Sequence, residues 1–387
     1  MKVTRNLIVV LLLLVPILCE ANPGWMQRAT FGSNGRHRCN SFSIGNKGYM
    51  GVGHYNGSGF NYVLADWWEY DPATNSWTQK ADYPGNNGNG NYDMVALGIG
   101  EYGYLGGGTQ GFSGDFYRFD PASNTWEQKA TMIDHGSGFS GFSVLGKGYY
   151  IEGDVLYEYD PTLDTWTIKN ALPFSLGAWK PSFSIEDKGY VLTNNGFYEY
   201  KPAQDAWTPR AAFPGLSSGG SVGLSQNGKG YIVAGYEGWL STVVSEVFEY
   251  DPTTNQWTIA AEFPGNSRRF SAGFTINDRS YFGLGTNGTN FNDFWEFSVN
   301  SVAETTENKD IQFTCYPNPS TDKIEISSGG TQPFEVVIFD YFGRKVDQIR
   351  SINKIVTFRK NDLSNGTYYY QVILGNKTQE ITPFIFN

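Results

Sequence analysis

One hydrophobic pattern recurs along this chain: an aromatic strand, a short polar turn and a second strand opened by tryptophan. The copies are Glu69-Tyr70-Asp71-Pro72 to Trp77, Arg118-Phe119-Asp120-Pro121 to Trp126, Glu158-Tyr159-Asp160-Pro161 to Trp166, Glu199-Tyr200-Lys201-Pro202 to Trp207 and Glu249-Tyr250-Asp251-Pro252 to Trp257. A sixth copy is split, with Phe294-Trp295-Glu296-Phe297 late in the array and its tryptophan supplied by Trp25. Each copy predicts a β-hairpin. Asp-Pro suits the start of a type I turn, and Asn75, Asn124, Asp164, Asp205 and Asn255 tolerate the left-handed conformation that follows. Upstream of each hairpin lies another, as where Phe42-Ser43-Ile44 turns into Gly48-Tyr49-Met50-Gly51 and Phe183-Ser184-Ile185 into Gly189-Tyr190-Val191. Four strands per repeat result, at intervals of about fifty residues, so the fold is expected to be all-β and built from stacked copies of one unit.

The pattern resembles the kelch repeat, whose marks are a glycine pair ending the second strand, a tyrosine in the third and a tryptophan in the fourth. Gly106-Gly107-Gly108 shows the glycines best; Gly51-Val52-Gly53, Gly283-Leu284-Gly285 and Ala234-Gly235 are relaxed forms, and Thr193-Asn194-Asn195 has lost them. The resemblance covers roughly residues 24 to 300 and implies a six-bladed β-propeller. Trp25 then completes the blade begun by Phe294 and leaves no open sheet edge. The repeated tyrosines and tryptophans are expected to pack between blades, which removes the most visible residues from the candidate site.

The ends of the chain bear on location. Lys2 and Arg5 precede the apolar run Leu7 to Leu18 and then Cys19-Glu20-Ala21, the three-part form of a secretory signal peptide cleaved after Ala21. A lipoprotein signal ending at Cys19 is the alternative, although Leu18 sits where such signals prefer a very small residue. The run is short for a membrane span, so no stable span is expected. With Cys19 removed, only Cys39 and Cys315 remain, and they fall in different domains. Thus residues 1–21 are read as signal peptide, 22–300 as propeller, 301–312 as a polar linker and 313–387 as a further β domain of immunoglobulin-like sandwich form.

That last domain looks like the C-terminal sorting domain of type IX secretion substrates. Its motif residues are Tyr316-Pro317-Asn318-Pro319, the Phe339-Asp340-x-x-Gly343-Arg344-Lys345-Val346 turn, and Leu363-Ser364-x-Gly366-x-Tyr368. The resemblance implies export through the periplasm by the type IX machinery to the cell surface or the medium. The ending Thr382 to Asn387 departs from the lysine-rich strand that is more typical.

Charge and chemistry narrow the function further. With 28 basic and 38 acidic residues the net charge is −10, which argues against nucleic acid as a partner. Only His37, His54 and His135 could act as imidazole bases or ligands; their spacing suits no metal, and no catalytic residue or cofactor is assigned. The loop face is left as the candidate site, through Arg36, His37, Tyr55, Trp179, Trp239, Arg268 and Arg269. Guanidinium groups satisfy hydroxyls and carboxylates while aromatic faces stack on sugars, so a glycan or protein ligand is expected. The alternative is a carbohydrate-active propeller enzyme: either a sialic-acid mutarotase-like epimerase, with Arg36, Arg268 and Arg269 holding a carboxylate beside Glu237 or His37, or a galactose-oxidase-like protein, whose two-histidine, two-tyrosine and cysteine constellation is not found here.

Overall fold

The computed structural model describes residues 24–299 except 111–113, 134, 135, 137–139, 216–218 and 238–241, and residues 313–387 except 329–333, 352–354, 362, 375, 376 and 379–381. The expected signal peptide, the linker, His135 and Trp239 lie outside the described residues. The chain divides into two compact units between Ser301 and Val302.

The first unit is a ring of six four-stranded antiparallel sheets. From the innermost strand outward, the first blade is Asn40–Ile44, Lys47–Gly51, Trp67–Asp71 and Ser76–Lys80. The innermost strands of the next five blades are Val95–Ile99, Ser140–Val144, Ser182–Ile185, Val222–Gln226 and Ala272–Ile276. Each neighbours the next, and the last neighbours the first. Phe294–Ser298 of the sixth blade is paired on its outer side by Gly24–Gln27, with Trp25 opposite Phe297. Trp25 packs edge-on to Phe263 at 5.1 Å, so the ring closes as the split repeat predicts.

Two features of the repeat account for the close stacking of blades. First, the glycine opening the second strand makes room for the innermost aromatic of the preceding blade: a Cβ at Gly48 would lie 2.0 Å from Phe274, and one at Gly103 would lie 1.9 Å from Phe42. Any side chain there would push two sheets apart. Second, the turn residue and the tryptophan together clamp the chain arriving from the blade before. Asn75 is left-handed, at φ 49°, and its Oδ1 accepts from both Tyr70 Oη and Ala29 N at 2.9 Å. Trp77 Nε1 donates to Ala29 O at 3.0 Å. The same arrangement recurs at Asp164 with Tyr159, Trp166 and Ala130, and at Asn255 with Tyr250, Trp257 and Ala211. The fixed step of seven from tyrosine to tryptophan is therefore a clamp between blades, and the tyrosines are fully buried.

The second unit is a small sandwich. A three-stranded sheet of Phe313–Tyr316, Lys323–Ser328 and Ile355–Arg359 faces a second sheet in which Gly366–Leu374 pairs with Glu335–Phe339 and Thr382–Phe386. Ile324, Ile326, Val356 and Phe358 from one sheet share a core with Val336, Tyr368, Phe384 and Phe386 from the other. Tyr368 is part of that core, whereas Tyr316 is exposed. Asn318 Oδ1 accepts the Ile385 amide at 2.9 Å, which ties the Pro-Asn-Pro segment to the final strand. Among the described residues no helix is long and apolar enough to cross a membrane.

Candidate ligand cavity at the channel mouth

A residue two or three positions before an innermost strand has an unusual backbone in five of the blades. Arg38, Asp93, Trp179, Gly220 and Phe270 are all left-handed, with φ of 57°, 55°, 57°, 59° and 57°. Four of them carry side chains that pay on the order of 1 kcal/mol each for that conformation. Their amides explain why it persists: Asp93 N–H donates to Arg38 O, Arg38 N–H to Phe270 O, Phe270 N–H to Gly220 O and Gly220 N–H to Trp179 O, at 2.8 to 3.3 Å. This belt of hydrogen bonds runs from blade to blade around the channel mouth. Arg38, Asp93, Trp179 and Phe270 thereby come to line one cavity of about 460 Å³, together with His37, His54, Asn56, Tyr92, Thr109, Arg269 and others.

Charge within the cavity is arranged in layers. The Arg38 guanidinium lies over the Phe270 ring at 4.0 Å and the Trp179 ring at 4.5 Å, and it is ion-paired with Asp93. Burial raises the Asp93 pKa against the pull of that arginine. Arg269 lies over Tyr236 at 5.0 Å and Phe270 at 5.4 Å. His37 and His54 meet edge to face at 5.0 Å, and His54 stacks on Tyr92 at 4.7 Å. His37 Nε2 lies 3.2 Å from Asn56 Oδ1, an acceptor, so that nitrogen carries the proton and donates. Burial, with His54, Arg38 and Arg269 adding to it, pulls the His37 pKa down to about 4. The cavity thus holds two guanidinium groups and one carboxylate beside a neutral His37 imidazole, a local cationic balance in an acidic protein.

The His37 shift makes a prediction. Its folded pKa lies below the unfolded value of about 6.5, so its contribution to stability is fully present above that pH and is lost as pH falls toward 4. An imidazole ¹⁵N titration of the native protein should show His37 neutral at pH 5.5. A midpoint near 6.5 would mean that the ring is hydrated.

The expected site residues separate into groups. His37, Trp179 and Arg269 line the cavity. Tyr55 belongs to the hairpin His54–Gly57 and Phe60–Val63, where it packs on Phe60 at 4.7 Å and faces Tyr62, outside the cavity lining. Trp239 lies outside the described residues. Arg36 and Arg268 require correction, because both have 0% exposed surface and cannot meet a ligand. Arg36 forks onto Asp66 and donates to Val52 O at 3.2 Å, while Arg268 forks onto Asp293 and donates to Leu284 O at 3.1 Å. They brace the loops that present the cavity. Arg38, Asp93 and Phe270 were absent from the sequence-based site, since the property they share is a backbone conformation and a place in the register. Glu237 does not line the cavity. Among the described residues no group of three histidine, cysteine, aspartate or glutamate side chains is placed to hold a metal.

Comparison with known proteins agrees with this architecture. Residues 314–386 match the secretion system C-terminal sorting domain, and residues 220–264 match the Kelch motif. Among solved structures, the one titled "Structure of YjhT" superposes with a TM-score of 0.59 at 14% identity, covering 70% of this chain and 97% of that one. At that identity the likeness concerns the fold alone. No curated protein matches the sequence. The chain is thus a six-bladed kelch-type propeller joined to a C-terminal sorting domain, the kind that directs type IX export to the cell surface or the extracellular space.

Proposed function

We propose that the exported propeller is a binding protein whose channel-mouth cavity holds a glycan. The observation that carries this reading is the cavity itself: about 460 Å³, within the range of small-ligand sites, with the aromatic side chains of Trp179 and Tyr92 beside Arg269 and Asn56. Aromatic faces take the apolar side of a sugar ring, and guanidinium and amide groups take its hydroxyls or a carboxylate. A sugar-processing enzyme would need a group free to move a proton. Asp93 is engaged by Arg38, His54 is hydrogen-bonded with Asn61, and His37 Nδ1 has no exposed surface from which to meet a substrate, so the enzymatic reading has less support.

A glycan array probed with the purified protein tests this. Trp179→Asn keeps a residue tolerant of the left-handed backbone and should reduce capture about tenfold or more, in line with one lost stacking face. Failure to retain any glycan, or equal capture by wild type and variant, would remove the reading.

Export gives a separate prediction. Deleting residues 302–387 should leave a folded propeller, because the two units are separate compact bodies, and should confine it to the periplasm. Undiminished truncated protein in the culture medium would count against the sorting role.

A further inference from the structure

The braces made by Arg36 and Arg268 repeat one local arrangement in two blades, and a third blade has that arrangement without its arginine. In the two complete copies, Phe31 or Phe263 is followed five positions later by the arginine. Its guanidinium lies over that ring at 5.1 or 4.8 Å. It donates to the carbonyl of the left-handed residue after the second strand, Val52 or Leu284. It also forks onto the aspartate before the third strand, Asp66 or Asp293, which receives an indole N–H from Trp68 or Trp295 at 2.8 Å.

The fifth blade puts Phe213, Ala234, Glu246 and Phe248 at those places. The register fixes the equivalence: Trp67 opposes Gly51, Phe294 opposes Gly283 and Val247 opposes Val233, and in each case the acid precedes the first residue of the pair. Ala234 is left-handed at φ 56°, like Val52 at 49° and Leu284 at 59°. Phe213 meets Phe248 at 4.8 Å, as Phe31 meets Trp68 at 5.9 Å and Phe263 meets Trp295 at 5.6 Å. Five positions after Phe213, however, the sequence has Ser218, which lies outside the described residues.

Two features of this blade accompany that difference in sequence. A cavity of about 200 Å³ lies among Phe213, Ile232, Ala234, Val244, Glu246 and Phe248. Phe213 is half-buried, whereas Phe31 and Phe263 are each 3% exposed beneath their arginines. The Glu246 carboxylate accepts the Ser245 amide at 3.2 Å, and among the described residues no cation pairs with it. Phe248 offers it no indole donor. Glu262, directly across the strand pair, adds a second negative charge.

We propose that this cavity is a guanidinium pocket that takes an arginine side chain from a peptide or protein partner. The partner's guanidinium occupies the place that Arg36 and Arg268 occupy in their own blades: its fork meets Glu246, its remaining N–H reaches the Ala234 carbonyl and its plane lies on Phe213. The alkyl stem rests on Val244 and Ile232. The volume is smaller than that of ordinary sugar sites and suits a single side chain. Lysine, a point charge without a planar fork, makes only part of this set of contacts. The pocket shares no residue with the channel-mouth cavity, so either can fail without the other.

Titrating the full exported protein with N-acetyl-arginine amide, and with its neutral citrulline isostere, tests the proposal. Saturable binding of the arginine compound is expected, with the citrulline compound and the Glu246→Gln variant each at least about tenfold weaker, the scale of a lost charge-assisted pair. Equal binding of the two compounds or full binding by Glu246→Gln would each overturn the proposal. So would loss of probe binding in Arg269→Ala, which would place the probe in the other cavity.

Discussion

Deleting residues 24–31 is expected to lower the melting temperature of the propeller by roughly 10 °C or more and to make the protein prone to association. Gly24–Gln27 supplies the outer strand of the sixth blade, and Trp25 packs on Phe263 and Phe297 at 5.1 and 4.8 Å. The same segment carries Arg28, ion-paired to Glu296, and Ala29, whose amide and carbonyl are held by Asn75 and Trp77 of the first blade. It also carries Phe31, buried against the first blade's Met50 and Tyr70. Loss of a packed aromatic costs about 3–5 kcal/mol, and for a unit of this size each kcal/mol lowers the melting temperature by about 2–4 °C. The edge left open along Phe294–Ser298 would offer unpaired amides and carbonyls to another chain. Calorimetry and light scattering on the deletion variant test both effects. An unchanged, cooperative transition would mean that the ring does not depend on this strand.

How much of this was legible in the sequence depends on what each residue's fate turns on. The step from Tyr70 to Trp77 recurs because two paired strands and one turn fix it locally, so the repeating hairpins could be read from spacing, while the six-bladed ring and its closure by Trp25 were what the resemblance to the kelch repeat implied. Arg36, Arg38, Arg268 and Arg269 are the same residue type on loops of the same face, and nothing local separates them. Arg36 and Arg268 are drawn inward because an aspartate waits at the start of a strand 25 or 30 residues further on. The signal was present, as Phe31 to Arg36 with Asp66-Trp67-Trp68 and again as Phe263 to Arg268 with Asp293-Phe294-Trp295. A pattern found in two repeats points to architecture before it points to a ligand. Arg38 and Asp93 could not be paired in this way, because they sit in different repeats and meet only when the ring brings adjacent blades together.

Arg268 and Arg269 are neighbours in sequence, and opposite outcomes are expected from them. Arg268→Ala should destabilise the propeller by about 3 kcal/mol, the scale of breaking a buried ion pair, reduced somewhat because Asp293 keeps 24% of its side-chain surface. The variant leaves the Asp293 carboxylate with the Trp295 indole but without its cation, and takes the cover from Phe263 and Phe291. Arg269→Ala removes a half-buried guanidinium from the cavity wall and should lower the melting temperature by a few degrees at most, while weakening glycan capture about tenfold. Chemical denaturation of the two single variants, with binding measured on each at a temperature where both are folded, separates the roles. A stability loss in Arg269→Ala as large as that in Arg268→Ala would make both arginines structural. The binding surface would then have to be sought among Trp179, Tyr92 and Arg38.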